Sequence, residues 1–100
     1  MKKRIGSLFI ILLISLPLYA QQSIKGVVTD AQGDPLSGVT VLLKGTFAGT
    51  VTDVDGAYSI SVPGNEAVLV YSFIGFASQE IPVAGQREIN VVLNEDMQQI

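Results

Sequence analysis

Residues 26–62 read GVVTDAQGDPLSGVTVLLKGTFAGTVTDVDGAYSISV, a stretch in which short runs of Val, Ile, Leu, Thr and Tyr are cut at close intervals by Gly, Pro and Asp-Gly. The reversals at AQGDP (31–35), KGTFAG (44–49) and DVDG (53–56) continue downstream as PGNE (63–66) and IPVAGQ (81–86). A strand has to end where such a turn reverses the chain, so recurrence at roughly 8 to 12 residues predicts an all-β sandwich. No helical stripe competes with it. Seven strands are predicted: Ser23–Asp30, Gly38–Lys44, Gly49–Asp53, Ala57–Val62, Ala67–Phe73, Ala77–Pro82 and Arg87–Leu93.

Successive strand side chains point to opposite sides, and one side of a sandwich sheet is dry. Alternation therefore sets Ile24, Gly26 and Val28 against Lys25, Val27 and Thr29, and Val39, Val41 and Leu43 against Thr40, Leu42 and Lys44. Tyr58, Ile60 and Val62 face inward past Ser59 and Ser61, and Ile89, Val91 and Leu93 past Asn90 and Val92. Truncating Ser59 or Asn90 on the wet face is expected to cost about 0.5 kcal/mol or less. Residues 67–74, AVLVYSFI, are apolar at nearly every position. That pattern fits a central strand covered on both sides or a face against a neighbouring domain, and a core strand is expected.

The chain has 100 residues with 6 Lys+Arg and 9 Asp+Glu. Lys2, Lys3 and Arg4 fall in a removable leader, which leaves Lys25, Lys44 and Arg87 against all nine acidic residues, a net charge of −6. These three scattered cations argue against nucleic acid as a partner, because phosphate binding needs clustered cations. There is no His and no Cys. Their absence removes the thiol nucleophile, the usual general base, the commonest zinc ligands and any disulfide. One small domain is all this length holds.

The leader, MKKRIGSLFIILLISLPLYA (1–20), combines a basic start, an apolar run from Leu8 to Leu18, and Ala20 before Gln21 and Gln22. It reads as a signal peptide. The alternative, a membrane anchor, fails on length: the run includes Ser15 and Pro17 and falls well short of the ~20 residues a bilayer requires. Without Cys no lipid anchor can follow, so the exported domain is expected to begin near Gln21 and to hold together by packing alone.

Several residues invite a chemical reading. Asp53 and Asp55 in TDVDG resemble the opening of a calcium loop, but an EF-hand would need Gly where Tyr58 stands and Glu where Gly64 stands. Asp53, Asp55 and Gly56 are expected to form a structural hairpin turn, with Gly56 at positive φ and Asp53 capping backbone amides. Gly45 and Gly49 make a GxxxG whose packing meaning is confined to apolar helices. Glu95 and Asp96 read as a solvated linker rather than an acid/base couple. Tyr71, Phe73 and Phe76 could stack on a sugar, though alternation assigns at least some of them to the core. No catalytic, cofactor-binding or metal residue is assigned, and no cofactor.

Taken in order, GVVTD (26–30), DPLSGVTV (34–41), KGT and GTVTDVDGAYSI (44–46 and 49–60), SFIGF (72–76) and INVVLNED (89–96) resemble the carboxypeptidase regulatory-like domain at the mature N-terminus of SusC/RagA-type TonB-dependent outer-membrane transporters. The resemblance covers residues 23–96 and implies a seven-stranded, Ig-like or transthyretin-like (prealbumin-like) sandwich without catalytic activity. It further implies a signal peptide (1–20), the sandwich (21–94) and a linker (95–100) toward a TonB-interacting segment, plug and barrel. The chain is thus expected to be a fragment on the periplasmic side of a Gram-negative outer membrane. Its implied partners are the rest of the receptor, a periplasmic energising or regulatory protein and, for the whole receptor, a surface lipoprotein. The receptor would import glycans or peptides.

Two classes of function follow. One is a noncatalytic accessory domain of an outer-membrane nutrient transporter. The other is a free-standing exported sandwich that uses a sheet face or edge to bind a partner chain or carbohydrate. A reading frame that continues past Ile100 into plug and barrel sequence separates them.

Overall fold

The computed structural model describes residues 21–96, so the expected signal peptide at 1–20 and residues 97–100 of the expected linker lie outside the described part. Seven strands form in order: β1 (Gln22–Thr29), β2 (Thr40–Leu43), β3 (Gly49–Val51), β4 (Ala57–Val62), β5 (Val68–Ser72), β6 (Gln79–Pro82) and β7 (Val91–Val92). They make two sheets, β4-β1-β7 and β3-β2-β5-β6. All pairs are antiparallel except β1 with β7.

The core holds the residues that alternation turns inward on β1, β4 and residues 87–93, together with Val39 and Val41; Leu43 is only half-buried, and Val83, placed by the sequence in a turn, is fully buried. Ile24, Val28, Tyr58, Ile60, Val62, Ile89, Val91 and Leu93 come from the three-stranded sheet and its approaches, and they meet Val39, Val41, Leu69, Tyr71 and Val83 from the other side. Lys25 and Lys44 are exposed, as are Ser59 and Ser61. In β5, Leu69 and Tyr71 are buried while Val68, Val70 and Ser72 are only half-buried. The outer face of this central strand is thus bare of a second layer and is spanned by the exposed Lys44–Glu80 ion pair at 2.8 Å.

The last strand departs from expectation. Only Val91–Val92 is regular, although residues 87–93 run beside β1 throughout. Lys25 N–H donates to the Arg87 carbonyl (3.1 Å), Ile89 N–H to the Lys25 carbonyl (2.9 Å) and Leu93 N–H to the Thr29 carbonyl (2.9 Å). The ladder is interrupted at one rung: Val27 N–H donates to the side-chain Oδ1 of Asn90 (2.9 Å) instead of to a carbonyl. The register is unchanged across the gap, with Lys25 opposite Glu88 and Val28 opposite Val91.

After β7 the chain crosses to the other sheet. Ala77 N–H donates to the Asn94 carbonyl, Glu95 bridges Phe76, and Asp96 N–H donates to the Gly75 carbonyl, the two bonds each 2.9 Å. Backbone pairing therefore runs through Glu95 and Asp96, which the sequence places in a linker. These bonds tie the end of the three-stranded sheet to the lead-in of β6.

Candidate functional site

Two turns share one design. In Thr29-Asp30-Ala31-Gln32-Gly33 and Thr52-Asp53-Val54-Asp55-Gly56 the Asp at the second position accepts two amides on its Oδ1. Asp30 takes Gln32 and Asp34 N–H (both 2.9 Å); Asp53 takes Asp55 and Ala57 N–H (2.9 and 3.0 Å). Each Gly N–H returns to the Asp carbonyl, and each Gly has positive φ, 89° at Gly33 and 75° at Gly56. A short side-chain acceptor at the first corner and a residue free to take positive φ at the last are what this reversal requires. The turns stand side by side, since a β-carbon on Gly56 would meet the Val28 carbonyl, the Leu36 nitrogen and Pro35; a β-carbon on Gly33 would have open space. Among the described residues no three acidic groups are placed to hold a metal ion together.

The buried polar groups sit elsewhere. The Tyr58 and Tyr71 rings meet edge to face at 5.6 Å, with their hydroxyls 2.6 Å apart. Tyr58 donates to the Ile89 carbonyl at 2.7 Å, so the proton between the hydroxyls belongs to Tyr71. Burial raises both pKa values. In Tyr71 the hydrogen bond and the proximity of Tyr58 add to the rise; in Tyr58 the bond from Tyr71 offsets part of it. Two neutral hydroxyls feeding a backbone carbonyl, with no base beside them, form a strut for the core. Phe73 and Phe76 pack together at 5.5 Å against the core margin.

Thr52 is a second strut, unnoticed as such in the sequence. Its hydroxyl donates to the Leu36 carbonyl (2.6 Å) and accepts from Val39 N–H (2.9 Å), clasping the loop before β2 to the end of β3. The repeated Thr-Asp-x-x-Gly was the available signal, but the loop that Thr52 would hold could not be read from it.

The remaining feature is a surface. Leu42, Phe47, Gly49 and Val51, with Thr40 opposite Val51, form a largely apolar strip on the outer side of β2 and β3, with Phe47 wholly exposed and Val51 59% exposed. β3 is the end strand of its sheet.

Residues 24–100 match the family model of the CarboxypepD_reg-like domain. The chain belongs to that family. This CarboxypepD_reg-like domain is 44% identical over 84 residues to the TonB-dependent receptor SusC of Bacteroides thetaiotaomicron and 41% identical over 83 residues to the TonB-dependent receptor P39 of Formosa agariphila. Each match covers 83% of the chain and 8% of the relative's length. Among solved structures, a chain of a type II cohesin–X-dockerin complex from Acetivibrio cellulolyticus aligns with a TM-score of 0.63 at 19% identity, covering 79% of this chain and 61% of that one. At that identity the likeness is one of fold. In the CarboxypepD_reg-like domain the two repeated turns, the tyrosine pair and Thr52 all hold the sandwich together.

Proposed function

We propose that the chain is a noncatalytic accessory domain of a TonB-dependent outer-membrane nutrient transporter, lying on the periplasmic side and attached to a plug and barrel that other sequence supplies. The observation that carries this reading is the 44% and 41% identity to TonB-dependent receptors over most of the chain. The signal-peptide-like sequence at 1–20 supports export, and the side-chain inventory supports a role in contact rather than catalysis: the described residues contain neither His nor Cys, and the buried hydroxyls of Thr52, Tyr58 and Tyr71 serve backbone carbonyls or one another. A glycan or peptide is the cargo class, and a surface lipoprotein is the partner of the full receptor.

The test is deletion of residues 23–93 from the full-length receptor, keeping leader and linker. Barrel abundance in outer-membrane fractions should be unchanged while growth on the imported nutrient, or its induction, falls. Normal growth and induction at normal barrel levels reject an active role. Hydrolytic activity in the isolated domain rejects the noncatalytic reading, and a stop codon directly after Ile100 in the intact gene favours a free-standing binding module.

A further inference from the structure

The sandwich has four end strands, and three of them are closed to further pairing or lack an anchor. β6 ends in Pro82, which has no N–H to offer. The short β7 is covered by Gln79, whose Nε2 donates to the Val92 carbonyl at 2.6 Å. On β4 the Ala57 carbonyl accepts from Asp53 N–H, and the exposed side chains beyond it are Ser59 and Ser61. β3 shares the Asp53–Ala57 bond just past its C-terminal end and faces β4 across a cleft lined by Val51, Asp53, Ala57 and Ser59, but Gly49–Val51 itself contains no Pro and carries no side-chain cap from the described residues. Leu43 N–H donates to the Ala48 carbonyl and Thr52 N–H to the Val39 carbonyl, so Ala48 and Thr52 turn toward β2. By the alternation of an antiparallel ladder the main-chain groups of Gly49 and Val51 then turn away from it.

The strip beside this edge is largely apolar. The side chain of Leu42 lies so close over Gly49 that a β-carbon there would collide with it, and Phe47 and Val51 stand exposed on either side. At its C-terminal end β3 runs into Asp53 and Asp55, next to the turn that holds Asp30 and Asp34. A second copy carries the same net −6 over the whole domain, and overall like charge opposes that pairing.

We propose that β3 is a docking edge for an extended, basic segment of a partner protein, which adds to the β3-β2-β5-β6 sheet as a fifth strand. Its main chain pairs with Gly49 and Val51, alternate apolar side chains rest on Leu42, Phe47 and Val51, and Lys or Arg at one end meets the Asp53–Asp55 turn. The inference rests on the reading of the chain as a contact domain, and its test does not pass through nutrient uptake. A deletion that leaves uptake untouched therefore sinks the earlier reading alone.

The purified chain is titrated by NMR with a synthetic peptide of about seven residues, alternating valine and threonine behind two N-terminal lysines. The expected result is amide shifts centred on Gly49 and Val51, with a peptide carrying two glutamates in place of the lysines binding at least ~10-fold more weakly. Val51→Pro removes an outward N–H while leaving the β2 ladder intact, so it should keep the fold and lower affinity at least ~10-fold; Phe47→Ser should do the same in weaker measure. No binding at millimolar peptide, unchanged affinity in Val51→Pro, equal binding of the glutamate peptide, or shifts centred on β4 or β6 would each overturn the proposal. So would a dimer that Val51→Pro dissolves, since that assigns the edge to a second copy.

Discussion

The carbonyl oxygen of Ile89 occupies the space that a β-carbon on Gly26 would need. Two neighbours explain the close approach: Tyr58 donates to that carbonyl from the core side, and Val27 N–H, the donor a regular parallel ladder would send there, turns to Asn90 Oδ1. Gly26, Tyr58, Ile89 and Asn90 thus exchange one backbone rung for two side-chain bonds where Ile89 lies close against β1.

Gly26→Ala should therefore destabilise the domain by roughly 3 kcal/mol, because the obstructing atom is backbone and cannot swing aside. Gly64→Ala, with nothing within 4 Å of the added carbon, should fall within about 0.5 kcal/mol of wild type. Urea midpoints compare the two; equal effects would refute the account of Gly26.

Asn90 is exposed, and the alternation pattern alone makes it expendable. Its bond to Val27 N–H changes the forecast: Asn90→Ala should cost about 1 kcal/mol, against ~0.5 or less for Ser59→Ala. Val41→Ala and Ile60→Ala, which open holes in the core, should cost about 2 to 4 kcal/mol. An Asn90 variant as stable as the Ser59 variant would show that the missing rung is filled by water.

Tyr58→Phe leaves the Ile89 carbonyl and the Tyr71 hydroxyl without their partner, whereas Tyr71→Phe removes one bond and leaves Tyr58 on its carbonyl. The expected losses are roughly 2 to 3 and 1 kcal/mol respectively. Because both pKa values are raised above the ordinary 10.0, the fold keeps protons that the unfolded chain gives up above that pH. Their contribution is whole below pH 10 and is lost as pH climbs beyond it. The double Phe variant should lose stability less steeply above pH 10 than wild type in thermal melts, and an identical slope counts against the pair.

The two Thr-Asp-x-x-Gly turns offer a matched comparison. Gly56→Val and Gly56→Ala should be severe, since a β-carbon meets Val28, Leu36 and Pro35 as well as the positive φ, while Gly33→Ala bears the conformational cost alone, about 1 kcal/mol. Chelator should leave the melting temperature unchanged. A calcium-dependent rise that Asp53→Ala abolishes would make this turn a metal site.

Sequence alone determined what depends on neighbours along the chain. All seven strands were legible, and so were the inward faces of β1, β2 and β4, because the period of two and the turn residues are local and each strand must hide one side. Asp53 and Gly56 could be assigned to a reversal for the same reason. Tertiary structure decided what depends on residues far apart. The parallel pairing of residues 87–93 with β1, the hydroxyl chain from Tyr71 through Tyr58 to Ile89, and the grip of Thr52 on Leu36 and Val39 all join segments whose juxtaposition no local pattern encodes. Asn90 shows the difference most plainly: alternation places it on the wet face, where it is, but only the approach of Val27 from 63 positions away gives its side chain a donor to accept. The same holds for β3, whose pattern marks a strand while only the order of strands in the sheet makes it an open edge.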